Sequence, residues 1–85
     1  MSDKLQLEIM NEEAILFKDN VDEVIVPARE GDMAVLLNHI KCLSILRAGT
    51  IRIKNKNDIT KIDIQGGYIE VNENTVKVFT LKNFE

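Results

Sequence analysis

The sequence predicts an all-β fold, a flattened β-sandwich or barrel of about ten short, mostly antiparallel strands. Three observations lead to this fold class. Isoleucine and valine dominate the apolar residues, and their branched side chains favour strands. Strand-like runs recur at intervals of about 8–12 residues, with turn signals between them. The chain has 85 residues, which is enough for one domain with a thin core.

The first half of the chain contains four strand-like runs. Residues 5–9 alternate between apolar and polar, which predicts a strand with one solvent-facing side. Residues 14–17 form a continuous apolar run and predict a strand buried on both faces or at a corner of the sandwich. Residues 23–27 alternate again and end at Pro27, which has no amide donor and suits a strand end. A polar turn then precedes the apolar run 33–37.

Residues 40–48 are ambiguous. Their apolar side chains recur three positions apart, and neither proline nor glycine interrupts residues 40–47. Periodicity alone therefore leaves a short helix and a strand open for this segment.

A hairpin is predicted next. Residues 51–54 alternate, and the polar residues 55–58 are typical of a hairpin loop. Ile62 and Ile64 continue the alternation, but Ile59 is out of phase with them. A β-bulge between residues 59 and 62 would reconcile the two phases, so we predict one there.

The pair Gly66–Gly67 interrupts the strand pattern and predicts a positive φ angle or a close approach of two strands. Strands at residues 68–71 and 76–78 complete the domain. The alternation assigns eleven residues to the inner layer: Leu5, Leu7, Ile9, Val24, Val26, Ile51, Ile53, Ile62, Ile64, Val76 and Val78.

Composition excludes several classes of protein. The net charge is −3 with both signs mixed along the chain, which argues against a dedicated nucleic-acid binder. No apolar run approaches the ~20 residues that span a bilayer. No secretory signal is visible at the amino end. The single cysteine, Cys42, cannot form an internal disulfide and fits a reducing, cytosolic compartment.

Groups for catalysis or metal binding are scarce. The chain has one histidine and one cysteine, so we expect no catalytic residue, no metal site and no cofactor site. A small hydrolase using Ser44 and His39 stays open as an alternative, although no strand–turn–helix pattern presents the serine.

A basic stripe gives a second alternative. Arg52, Lys54 and Lys56 alternate along one strand, and a cationic strand face can follow a phosphate backbone. The alternative function is therefore a small nucleic-acid-binding β-barrel. The four aromatic residues are scattered along the sequence, so a base-stacking platform is not predicted.

One ordered set of motifs resembles a known family. An acid–glycine–acid turn at residues 30–32 is followed by an apolar strand and then by His39. Ala-Gly at residues 48–49 precedes an Ile-Arg-Ile strand, and residues 66–71 read GGYIEV. This order resembles the amino-terminal domain of the epsilon subunit of F-type ATP synthases, over essentially all 85 residues. The resemblance implies strands for residues 40–48.

The loop around His39 departs from the family pattern. Members usually have glycine where this chain has Ala34, proline-glycine at residues 37–38 and alanine-proline at residues 40–41. The backbone conformation of this loop is therefore expected to be less pre-organised in the unfolded chain. Asn38 can still adopt a left-handed backbone conformation and keep part of the glycine's role.

The resemblance implies a non-catalytic central-stalk, or rotor, subunit of a proton-translocating F-type ATP synthase. Such a subunit links the gamma subunit to the ring of membrane-embedded c subunits and couples proton flow to ATP synthesis. The implied partners are the gamma subunit and the c-ring, with no nucleic acid. The implied location is peripheral, on the cytoplasmic side of the bacterial inner membrane.

Two contact regions follow from the resemblance by position. The acidic turn, which in the family meets the polar loops of the c-ring, corresponds to Glu30, Gly31 and Asp32. The segment around the histidine, which in the family contacts gamma, corresponds to His39, Ile40, Cys42, Leu43 and Ser44. The simpler alternatives are that the acidic side chains only hydrate a turn and that His39 is a packed residue.

Members of the family commonly continue into a two-helix hairpin, which restrains ATP hydrolysis in many bacterial members. This sequence ends at Phe84-Glu85, where the sandwich is expected to close. Residues 1–85 are therefore expected to form the sandwich domain alone, without that hairpin and without inhibition through it.

Overall fold

The structure, a computed structural model, describes residues 4–39 and 41–81. These residues form nine strands and contain no helix, so the predicted all-β fold is confirmed and the helical alternative is wrong for residues 41–48, where a strand covers residues 42–46. The strands are β1 (Leu5–Met10), β2 (Ile15–Val21), β3 (Glu23–Ala28), β4 (Gly31–Val35), β5 (Cys42–Leu46), β6 (Gly49–Asn55), β7 (Asp58–Ile64), β8 (Gly67–Asn72) and β9 (Thr75–Thr80).

All nine strands belong to one hydrogen-bonded sheet that folds over into two layers. The first layer has the order β2-β1-β9-β8-β5, and the second has the order β4-β3-β6-β7. In the described residues every pairing is antiparallel except that of β1 with β9. The layers join where Ala28 pairs with Leu46, and there the Arg47 amide donates to the Pro27 carbonyl at 2.9 Å.

A polar cluster closes the opposite side of the sandwich, between β1–β2 and the β6–β7 turn. Asn55 Nδ2 donates to the Asn20 carbonyl at 3.2 Å, and the Lys56 amide donates to Asp22 Oδ2 at 2.6 Å. Lys4 Nζ donates to Asn55 Oδ1 and lies 3.5 Å from Asp22 Oδ1. The hydrogen bonds of this cluster connect β2, the edge strand of the first layer, and the β2–β3 link to the end of β6 and the β6–β7 turn in the second layer, so the sheet curls back on itself.

The contacts of this cluster lower the pKa of the Asp22 carboxyl group. Its pKa lies below the ordinary value of 3.8, chiefly because the Lys56 amide donates to the ionised form. Loss of hydration opposes this effect, and the positive charge of Lys4 adds to it.

One apolar core lies between the two layers. Ten of the eleven residues predicted to face inward are buried, and the other, Ile62, is half-buried and packs against the core. Alternation along each strand accounts for this agreement. The core also contains five residues that the prediction omitted: Val21, Val35, Leu46, Ile69 and Val71.

The predicted burial of residues 14–17 is wrong. Ile15 and Leu16 are exposed, and Phe17 is half-buried. These residues lie at or near the start of β2, which among the described strands is an edge strand that pairs only with β1. An edge strand has one neighbour, and here only its inner face is covered. The pairing with β1 also shifts register between Ile9 and Met10.

The predicted bulge in β7 is also wrong. The β6–β7 register runs without a shift from Asn55 opposite Asp58 to Gly49 opposite Ile64, and the predicted hairpin loop is confirmed as a two-residue turn. Ile59 is out of phase because it points outward, opposite Lys54, with 59% of its surface exposed. An exposed isoleucine on an outer face needs no bulge to explain it.

The double glycine behaves as predicted. Gly66 has a φ of 125° and Gly67 a φ of 143°, both in the region that favours glycine. Gly67 also lies against β9, because a Cβ at this position would be 1.9 Å from the Phe79 carbonyl oxygen. Gly67 therefore combines both roles that the sequence predicted, a positive φ and a close strand approach.

Candidate functional site

The predicted acidic turn connects β3 to β4 at one end of the sandwich. Ala28 pairs with Gly31, so the connection is a tight turn with the exposed Glu30 at its tip. Gly31 has a φ of 141°, which explains the glycine between two acidic residues. The turn therefore has a defined shape and presents the Glu30 side chain to solvent.

The Asp32 carboxylate is already paired within the chain. Arg47 Nη2 donates to Asp32 Oδ1 at 2.9 Å, and Arg52 Nη1 lies 3.9 Å from Asp32 Oδ2. All three side chains remain about half exposed, so these ion pairs add little to stability. They do compensate the charge of Asp32, which leaves Glu30 as the more prominent anion of the turn.

The predicted histidine segment begins at the opposite end of the sandwich. His39 follows β4, whose five residues separate it from the acidic turn by roughly 15 Å. Asn38 has a φ of 65°, so the predicted left-handed conformation is confirmed. The His39 amide donates to the Leu36 carbonyl at 3.2 Å. Ile40, also predicted for this contact, lies outside the described residues.

The other predicted contact residues lie on β5. Leu43 is 70% exposed, whereas Cys42 and Ser44 are half-buried, as alternation requires. Cys42 packs against the core. Leu43 and Ser44 line a shallow groove of about 550 Å³ together with the acidic turn. The structure thus brings Leu43 and Ser44 close to Glu30, Gly31 and Asp32, but His39 lies away from them.

A row of apolar side chains crosses the outer face of the first layer. Each member is paired in register with the next, from one edge of the layer to the other: Ile45, Tyr68, Phe79, Met10 and Ile15. The rings of Tyr68 and Phe79 are stacked, with centroids 4.9 Å apart and an interplanar angle of 23°.

This apolar row is accessible to solvent. Ile45 is 58% exposed, Tyr68 44% and Ile15 57%, and the two members between them are half-buried. Leu43 extends the row along β5. Contiguous exposed apolar surface on a small domain marks an interaction site more often than an isolated exposed leucine does.

Sequence reasoning missed this row. The alternation in each strand shows that these residues face away from the core, but it does not show that they align. Phe79 and Tyr68 are eleven positions apart, so the sequence predicts scattered aromatics, whereas the β8–β9 hairpin stacks the two rings. The available signal was the presence of outward-facing apolar residues on five strands.

The basic stripe is not a face of unpaired cations. Lys54 Nζ lies 3.6 Å from Glu23 Oε1, and Arg52 faces Asp32. Lys56 is beyond the end of β6, in the turn, so the three cations do not share one strand face. This geometry does not favour the nucleic-acid alternative.

The hydrolase alternative gains no support either. Ser44 is in the middle of β5, opposite Ile69, and the described residues contain no helix that could form a nucleophile elbow. Within residues 4–39 and 41–81, no group of three or more His, Cys, Asp or Glu side chains is placed to hold a metal ion. In the same ranges, no helix has the length and apolar character needed to cross a bilayer.

A small β-sandwich with an exposed apolar row and an ordered acidic turn is typical of a domain that binds other proteins. The family model described as "ATP synthase, Delta/Epsilon chain, beta-sandwich domain" matches residues 4–83. The chain belongs to this family.

Named relatives agree with this membership. The ATP synthase epsilon chain of Maricaulis maris (strain MCS10) is 42% identical over 71 residues, covering 84% of this chain and 53% of the relative. That of Leptospira borgpetersenii serovar Hardjo-bovis (strain JB197) is 36% identical over 77 residues, covering 91% and 61%. That of Pelagibacter ubique (strain HTCC1062) is 38% identical over 85 residues, covering 99% and 65%. The chain thus spans between half and two thirds of the length of these curated relatives.

Solved structures share the fold. A chain in the cryo-EM structure of the Euglena gracilis mitochondrial ATP synthase (OSCP/F1/c-ring, rotational state 1) has a TM-score of 0.89 and 20% identity, covering 96% of this chain and 53% of that one. A chain in the Tetrahymena thermophila mitochondrial ATP synthase central stalk/c-ring structure has a TM-score of 0.77 and 17% identity, covering 96% and 66%. At these identities the likeness supports the fold alone.

Proposed function

We propose that this domain is part of a non-catalytic central-stalk subunit of an F-type ATP synthase. In this role it links the gamma subunit to the c-ring and couples proton flow to ATP synthesis. Family membership supports the assignment, and the observation that carries it is the exposed apolar row across the first layer. A rotor subunit needs protein-binding surface rather than a reaction centre, and this row is such a surface.

The gamma-binding surface in this proposal combines the apolar row with the predicted segment around the histidine. Leu43 lies next to Ile45 on the outer face of β5, so the two sets of residues are continuous. Exposed aliphatic and aromatic side chains become hot spots when a partner excludes water from them. His39 extends this surface at its far end, and Cys42 and Ser44 support it from the half-buried side of β5. The resemblance adds Ile40 to the same contact.

The c-ring contact in this proposal is the acidic turn of Glu30, Gly31 and Asp32. Fixed charges contribute register and specificity to a contact more than raw affinity. Because Arg47 and Arg52 compensate Asp32, the Glu30 carboxylate is the better placed of the two to meet a cationic or amide group on the ring. Asp32 then faces Arg47, which follows β5, and Arg52 of β6.

Binding to the cognate gamma subunit tests the first contact. Ile45→Ser removes an apolar side chain from the middle of the surface, and Ile59→Ser is a matched control because Ile59 is equally exposed on the other layer. We expect the Ile45 substitution to weaken gamma binding about tenfold or more, as truncation of a hot spot does. The control should bind like the wild type. Equal affinities for both variants, or no binding by the wild type at micromolar concentration, would contradict the proposal.

Docking to the c-ring is tested separately. Glu30→Lys reverses the exposed charge of the turn, and Glu12→Lys reverses an exposed charge in the turn between β1 and β2. In an assembly containing gamma, we expect only the Glu30 variant to lose ring docking while it keeps its affinity for gamma. Simultaneous loss of both contacts would show that the two surfaces are not separate.

The same proposal gives the location. A subunit held between gamma and the c-ring is peripheral to the membrane through the complex. For a bacterial enzyme of this class, this is the cytoplasmic side of the inner membrane. Fractionation of cells should recover the protein with membranes that carry the ATP synthase, and salt that strips the peripheral subunits should release it.

A further inference from the structure

The β4–β5 loop, residues 36–41, contains no proline and no glycine. In the described residues 36–39 of this loop the backbone turns, and Asn38 has a φ of 65°. A left-handed conformation is unfavourable for a residue with a side chain, although asparagine tolerates it better than most. The hydrogen bond from the His39 amide to the Leu36 carbonyl closes this turn, and a contact from outside the loop would restrain it further.

The loop is tied to the β8–β9 turn. The Asn38 amide donates a hydrogen bond to Asn74 Oδ1 at 3.0 Å. This contact spans 36 positions in sequence and connects the end of the second layer to a turn of the first. It is thus a cross-layer contact on the same loop as His39.

Asn74 is itself anchored by the backbone. It lies in the two-residue turn between Asn72 and Thr75, which pair with each other. Its carbonyl accepts the Gln6 amide of β1 at 2.8 Å. Asn74 therefore joins the β1 strand, the β8–β9 hairpin and the β4–β5 loop, and its side chain makes the contact with the loop.

We propose that Asn74 is a positioning residue that presets the β4–β5 loop, and with it His39, for the partner that binds there. This inference rests on the proposed function, because the partner is the gamma subunit. A loop held in its bound conformation loses less conformational entropy on association than a free loop. The Asn74 carboxamide oxygen supplies this restraint in a loop that has neither proline nor a glycine.

Three variants separate the hydrogen bond from other effects. Asn74→Ala removes the acceptor, and Asn74→Asp keeps an oxygen that can accept from the Asn38 amide. Asn72→Ala truncates an exposed side chain in the same hairpin and is the control. Hydrogen exchange of the Asn38 amide reports on the loop without any partner. We expect exchange about fivefold faster in Asn74→Ala, the equivalent of one net hydrogen bond, and wild-type protection in the other two.

Affinity for the gamma subunit is the second readout. Asn74→Ala should weaken binding about fivefold, and Asn74→Asp should restore it. The effect should shrink in a His39→Ala background, because Asn74 acts through the loop, whereas a general loss of stability would weaken both backgrounds equally. An equal weakening in both backgrounds, or wild-type affinity for Asn74→Ala, would overturn the inference and leave the proposed function standing. No gamma binding by the wild type would overturn the proposed function and this inference with it.

Discussion

Replacing Gly67 with alanine tests the closest backbone approach in this fold. The new Cβ would lie 1.9 Å from the Phe79 carbonyl oxygen and 2.9 Å from Thr80 Cα, and both are backbone atoms of β9. Backbone in a ladder cannot move aside as a flexible side chain can. The pairing of Gly67 with Thr80 must therefore open by more than about 1 Å to accept a methyl group.

Gly31 provides a matched control for this substitution. Its φ of 141° is nearly the same as the 143° of Gly67, but a Cβ at Gly31 would meet nothing within 4 Å. Gly31→Ala therefore isolates the backbone strain, which costs about 1–3 kcal/mol. The reduced entropy of the unfolded chain offsets about 0.4–1 kcal/mol of this. We expect a net destabilisation of about 1–2 kcal/mol for Gly31→Ala.

Gly67→Ala adds the clash and the disrupted ladder to the same strain. We expect a destabilisation of about 4 kcal/mol or more, which is exceptional for a single substitution. A domain of 85 residues has a free energy of unfolding of only about 4–13 kcal/mol, so much of this variant should be unfolded at 25 °C if the domain is near the lower limit.

Urea unfolding followed by far-UV circular dichroism measures both variants, since the chain has no tryptophan. Tyrosine fluorescence provides a second probe, because Tyr68 is next to Gly67 and stacks on Phe79. If the two variants differed by less than about 0.5 kcal/mol, the close approach of β8 and β9 would be refuted.

Three further predictions concern single side chains. The pKa of Asp22 is lower in the folded state than its ordinary value of 3.8, so the ionised carboxylate stabilises the fold above pH 3.8. This stabilisation is lost as the pH falls through the folded-state pKa. The urea midpoints of wild type and Asp22→Asn should therefore differ most above about pH 5 and converge towards pH 2; a gap independent of pH would contradict this. Ile59→Ala should change the free energy of unfolding by less than about 0.5 kcal/mol, whereas Ile53→Ala should lower it by about 2–5 kcal/mol. If urea unfolding showed comparable losses of free energy of unfolding for both variants, Ile59 would have to be a core residue. Glu73 has a φ of 58°, in the left-handed region that asparagine tolerates better than most residues. Glu73→Asn should therefore raise the thermal midpoint in differential scanning calorimetry slightly, by the equivalent of about 0.5–1 kcal/mol. A lower midpoint would show that the turn is not left-handed there.

Much of the fold was predictable because strand alternation is a local signal. Leu5, Leu7 and Ile9 face inward as their spacing indicates, and the turn at Asn55–Asp58 lies where the polar residues predict it. The errors occurred where burial depended on the arrangement of strands that are distant in sequence. The apolar residues 14–17 predict a buried strand, but in the described part of the chain β2 has one neighbouring strand.

The candidate site was less predictable from sequence. The resemblance gave positions for the acidic turn and for the histidine segment, and their roles remain predictions. It did not reveal that Arg47 and Arg52 compensate Asp32, because those contacts join β4 to positions 15 and 20 residues away in sequence. The apolar row was equally hidden, since its members come from five different strands.

The sequence by itself determined which side chains of each strand face the core and where the chain can turn, because a period of two residues and a glycine's φ angle are properties of a few adjacent residues. Only the tertiary structure decided which strands are neighbours, including the parallel pairing of β1 with β9. That choice depends on how all the apolar faces can be covered at once. The arrangement of the strands therefore also decided which outward-facing residues form a continuous surface. The same arrangement brought Asn74 within hydrogen-bond distance of the loop that carries His39.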